Sequence, residues 1–170
     1  MSRWTLATLA TICFSGALRA DVHISELLAD NETGIQDEDG SREDWLELCN
    51  TGDAAVNLDG WWLTDTVSNP TQWRIPNVSI PAKGFLFIWA SGKDRRQPGA
   101  PLHTSFSLSK SGEYLGIYRP NPTNGQPALV DHFLPGFPSL PPDISYGRSF
   151  VQPITDRKST RLNSSHTIQS

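Results

Sequence analysis

The residues best suited to chemistry in this 170-residue chain form one acidic run, Asp37-Glu38-Asp39-Gly40, followed by Asp44. Hard cations such as Ca2+ take several carboxylate and carbonyl oxygens from a flexible loop, so Asp37, Asp39 and Asp44 are the candidate metal ligands. The spacing is not that of an EF-hand. With Gly40 set on the loop glycine, Ile35 falls at the first ligand position and Leu46 at the last, and neither side chain coordinates. The plainer reading is a solvated acidic loop whose Asp and Gly residues set turns. No cofactor besides Ca2+ is suggested.

Catalytic patterns are missing from the sequence. His23, His103 and His132 are scattered, with no H-E-x-x-H and no paired Cys/His spacing. Asp131 and His132 are neighbours and would point to opposite faces of a strand. No G-x-S-x-G turn supports a nucleophilic serine, so the chain reads as a non-enzyme with no catalytic residue. Cys49 reads as a small buried hydrophobe rather than a reactive thiol. Trp45, Trp61, Trp62, Trp73 and Trp89 are many for one domain and are expected mostly in its core. Trp61 and Trp62 face opposite ways on a strand, one inward and one at a rim. With the basic cluster Lys93, Arg95 and Arg96, Trp61 and Trp62 form the candidate interaction surface.

The charge distribution narrows the partners. Residues 21–155 carry seventeen Asp+Glu against nine Lys+Arg, and twelve of the acids fall within 21–59 beside a single base, Arg42. Such a surface repels phosphate backbones and disfavours nucleic acid as a partner. It suits cations or basic proteins.

These residues need elements to hold them. Residues 1–20 have a positive start at Arg3, an apolar stretch from Trp4 to Ala17 and small residues up to Ala20. That order reads as a secretory signal peptide cleaved after Ala17 or Ala20, which predicts an exported protein, extracellular or periplasmic. Cys13 leaves with it, so the mature domain has no disulfide. Nothing after residue 20 is long and apolar enough for a membrane span. Residues 151–170 read as a disordered tail. Within it, 156–166 match the translation of a common short-read sequencing adapter, so 156–170 is set apart from the fold. The natural protein is therefore expected to continue past about Thr155.

Between residues 21 and 150, twelve Pro and twelve Gly punctuate short runs rich in β-branched and aromatic residues. No apolar helical period lasts three turns. The spacing predicts an all-β antiparallel sandwich of eight or nine strands. The first strand covers Val22 to Leu28, with Val22, Ile24, Glu26 and Leu28 on one face. Others follow at 44–50, 55–58, 61–66, 72–75, 78–80, 85–90, 103–108, 113–119, 128–134 and 144–150, some of them edge-like fragments. The run Phe85-Leu86-Phe87-Ile88-Trp89-Ala90 reads as a strand buried on both faces.

The ordered pieces resemble the lamin tail domain of bacteria across about Val22 to Arg148. They are Ile24-Ser25-Glu26-Leu27, Asp37-Glu38-Asp39-Gly40, Asp44-Trp45-Leu46-Glu47-Leu48, Val56-Asn57-Leu58 before Gly60-Trp61, Leu63-Thr64-Asp65, Ile80-Pro81-Ala82-Lys83-Gly84, Ala90-Ser91-Gly92-Lys93-Asp94, Ser111-Gly112-Glu113-Tyr114-Leu115 and Ser145-Tyr146-Gly147-Arg148. Where the family usually has an aromatic residue, this chain has Cys49. The resemblance implies an immunoglobulin-like sandwich and a noncatalytic module for binding protein or a cell-surface component. It also implies an alternative, an accessory domain of a secreted enzyme whose catalytic part lies beyond about Thr155; the tryptophans offer a further one, a carbohydrate-binding module.

Overall fold

A computed structural model describes residues 22–148 of the chain. The expected signal peptide over 1–20 and the expected tail over 151–170 lie outside the described residues. Within them there is no helix, and ten strand segments make two four-stranded antiparallel sheets and a two-stranded ladder.

The first sheet holds β1 (Val22–Leu28), β2 (Asp44–Asn50), β7 (Phe85–Ala90) and β10 (Tyr146–Gly147), in the order β10-β1-β2-β7. The second holds β4 (Trp62–Thr64), β5 (Trp73–Arg74), β8 (Leu115–Pro120) and β9 (Pro127–Phe133), in the order β5-β4-β8-β9. The pair β3 (Val56–Asn57) and β6 (Ser79–Ile80) closes one end. Period-2 alternation turns Leu46, Leu48, Ile88 and Ala90 of the first sheet toward Leu63, Trp73, Leu115, Ile117 and Phe133 of the second, and all are buried in one core. This is the antiparallel, immunoglobulin-like sandwich that the sequence predicts.

Several local expectations need correction. In β1 the simple alternation fails at Ser25, where the register against β2 shifts from Ile24↔Leu48 to Glu26↔Glu47. The bulge inserts one residue, so Leu27 turns inward with Val22 and Ile24 while Glu26 stays outside. Strand β7 is not buried on both faces: Phe85 is 61% and Phe87 37% exposed. Among the described residues no further layer covers the outer side of that sheet along Phe85–Phe87, so only the inward set Leu86, Ile88 and Ala90 packs on the core. The expected strand over 103–108 is reduced to isolated bridges, with His103 touching both Trp89 and Arg95 and Ser107 touching Ser91. The expected strand over 144–150 is two residues long among those described. Trp61 and Trp73 lie in the core between the sheets, Trp89 is buried on the outer side of β7, and Trp45 and Trp62 are partly exposed, so fewer of the tryptophans than expected fill the core.

Candidate functional site

Two regions hold the residues singled out above. One is the acidic loop between β1 and β2. Asp37 organises it as a turn former. Its Oδ1 accepts the backbone N–H of Asp39 at 3.0 Å and of Ser41 at 2.9 Å, while Gly40 takes the positive φ of 78° that lets the chain reverse. The other oxygen of Asp37 receives the ammonium of Lys93, whose Nζ also lies 3.0 Å from Asp39 Oδ2 and 3.2 Å from Glu43 Oε1.

The cations come from the loop after β7. There Gly92 and Asp94 both adopt positive φ, and Asp94 Oδ1 accepts the indole N–H of buried Trp73 at 3.0 Å. The loop is thereby tied to the core and aims its bases at the acidic turn. Arg95 pairs with Glu38, and both of its terminal nitrogens reach Asp39, at 3.2 and 2.6 Å. Arg96 bonds Asp94 at 2.6 Å and lies over the Trp73 ring. His103, fully buried, joins Ser91 Oγ through Nδ1 at 2.8 Å and Glu38 through Nε2 at 2.9 Å.

The pairing dictates the electrostatics. Burial alone would raise the Asp37 carboxyl, but the Lys93 ammonium and the two turn amides outweigh it and hold the group below its ordinary value. Burial likewise opposes ionisation of Glu38, and hydrogen bonds from its own amide, His103 and Arg95 overcome that effect and lower its pKa. Arg95 and Lys93 pull the exposed Asp39 down to about 2. Asp44 behaves in the opposite way. It sits at the start of β2, accepts a long bond from Asn31 N–H at 3.4 Å, and burial pushes it up to about 6.

The three acids proposed from the sequence as metal ligands are therefore placed in two settings. Asp37 and Asp39 converge on Lys93, whereas Asp44 faces Asn31. The tightest grouping of ligand-type atoms among the described residues is Asp37, Glu38 and His103, all within 4.8 Å of one another. Sequence reasoning missed His103 and missed that Lys93 and Arg95 serve the acidic loop. The available signal was the complementarity of Asp37-Glu38-Asp39 with Lys93-Asp94-Arg95-Arg96.

The second region is the outer side of the β2–β7 pair. Trp45, Phe87 and Trp89 stack sideways there, with centroids 5.3 Å apart for Trp45–Phe87 and 4.9 Å for Phe87–Trp89. Strand β7 is also the edge of its sheet. The Trp89 N–H and C=O point away from β2 and bond Leu102 and Thr104. Phe87 and Phe85 share the parity of Trp89, so their N–H and C=O point off the same edge. The covering segment reaches Trp89, and no backbone partner meets Phe85 or Phe87 on that side among the described residues. Trp62 lies on the other sheet, opposite Tyr118 and Arg74, far in topology from this edge.

The family model of the lamin tail domain matches residues 16–131. The chain belongs to the lamin tail domain family. This is a family of immunoglobulin-like, noncatalytic domains that often serve binding, and the all-β antiparallel architecture above agrees with it. No curated protein matches the chain. For this lamin tail domain, the family assignment directs attention to surfaces rather than to a catalytic cleft.

Proposed function

We propose that this lamin tail domain is a noncatalytic, exported attachment module that binds an extended segment of a partner protein along the open half of β7. One observation carries the reading. The N–H and C=O groups of Phe85 and Phe87 point off a sheet edge while their rings remain exposed beside Trp45. An unpaired edge is a template for another strand, and proteins that do not use such edges cover, twist or charge them. Strand addition takes affinity from main-chain hydrogen bonds and specificity from alternate side chains. Export is supported by the basic start, apolar stretch and small residues of 1–20.

The test is an NMR titration of the full chain with a synthetic peptide of alternating threonine and valine, reading hydrogen exchange at Phe85 and Phe87. Slower exchange at those two amides is expected. The same peptide N-methylated on every residue should give no protection, because neither of its edges can complete the ladder. Protection elsewhere but not at Phe85 and Phe87 would overturn the site.

A further inference from the structure

The outer face beside this edge carries two facing carboxylates that meet no cation among the described residues. Glu26 and Glu47 are direct cross-strand partners, and Phe87 is the next partner of Glu47, so the row runs Glu26, Glu47, Phe87 and then the open edge. Like charges facing each other across a ladder are destabilising. In the acidic loop, by contrast, Lys93 and Arg95 neutralise Asp37, Glu38 and Asp39. Neither Glu26 nor Glu47 makes an ion pair among the described residues. Glu47 receives only the Ser25 hydroxyl at 2.8 Å.

Building on the strand-docking reading, we infer that the partner segment is basic, with a lysine or arginine opposite Phe87 and an aliphatic residue two positions away opposite Phe85. A strand added at the edge lies one spacing from β7 and two, about 10 Å, from β2. A cation opposite Phe87 crosses the face of that ring and meets the Glu47 carboxylate, with Glu26 directly behind it. The next outward position sits on the row Phe85, Cys49, His23, where the exposed Phe85 ring offers apolar contact. A second copy of β7 fits poorly, because Phe85-Leu86-Phe87-Ile88-Trp89-Ala90 brings no cation to the row.

The experiment compares two synthetic peptides on the full chain at low salt, one repeating arginine-threonine-valine-threonine and one repeating glutamate-threonine-valine-threonine, so that the charged residue and the valine fall two positions apart on one face. Binding is read from amide protection at Phe85 and Phe87. The arginine peptide is expected to bind at least about tenfold more tightly, since like-charge juxtaposition disfavours the other. Glu47→Gln and Glu26→Gln should shrink that ratio toward one while protection of the two amides survives. Equal affinity for both peptides would overturn the cation assignment and leave strand docking standing. Protection by neither peptide would overturn docking itself. Protection that grows with protein concentration alone would assign the edge to a second copy and reject a basic partner.

Discussion

The edges of the two sheets are treated differently. At β9 the edge is stitched at its Asp131–Phe133 end. Asp131 accepts the Ile24 N–H at 2.9 Å and holds Arg148 at 2.7 and 2.9 Å, while Arg148 also bonds the His132 carbonyl and lies 3.8 Å over the Phe133 ring. That one arginine joins β9 to the strand next to β1. At β7 the Trp89 end is covered by 102–104 and the Phe85 end is left bare. A fold that ties one edge down with side chains and leaves half of another open, aromatic and beside two unmatched carboxylates separates a structural edge from the edge proposed for binding.

The largest effect should come from breaking the stitched edge. Asp131→Ala leaves the Ile24 N–H and the Arg148 guanidinium without their partner, so a loss of about 3 kcal/mol in urea unfolding is expected. A cost below about 0.5 kcal/mol would mean that the stitch does not hold the sheets together.

The acidic turn comes next. Asp37→Ala frees two backbone amides and removes the buried partner of Lys93, for a cost of about 2 kcal/mol. The carboxyls of Asp37 and Asp39 are held below their unfolded values. Their contribution is therefore present near neutral pH and is lost as pH falls from the ordinary range near 3.8 toward about 2. Unfolding midpoints measured from pH 5 to 2 should fall for the native chain and fall less steeply for Asp37→Ala.

Asp44 has the reverse sign. Its folded value, about 6, lies above the unfolded 3.8, so it favours the fold when protonated and loses that contribution as pH rises through 6. Asp44→Asn should stabilise the protein at pH 7 by about 1 kcal/mol, after discounting the shift for solvent screening, and should give no gain below pH 4. An equal gain at both pH values would assign the effect to something other than ionisation.

The smallest effect on stability belongs to the open edge. Phe85→Ser should change unfolding by under about 0.5 kcal/mol, because the ring is already exposed. The same variant should weaken peptide binding measurably. A large loss of stability with unchanged binding would show that Phe85 serves the fold and not a partner.

Much of this was legible in the residues, because strand signals are local. Val22–Leu28 and Asp44–Asn50 run between turn residues and match the expected strands end to end. Phe85–Ala90 was legible as a strand but not as half-exposed, since an unbroken apolar run looks the same whether or not a second layer covers it. The bulge at Ser25 was hidden because one inserted residue leaves composition unchanged while reversing the faces that follow. Of the candidate metal ligands, Asp37 and Asp39 were placed correctly in one loop, but their cationic partner lies more than fifty residues away.

The sequence by itself determined the class of fold, because period-2 alternation and turn residues act over a few positions, while the family followed from the ordered motifs that resemble the lamin tail domain. Only the tertiary structure decided that Lys93 and Arg95 close on the acidic loop, that His103 is buried against Glu38, and that β7 ends a sheet with its Phe85 half uncovered. Those outcomes depend on which distant segments the sandwich brings together and which sheet face receives no neighbour. No local pattern encodes either.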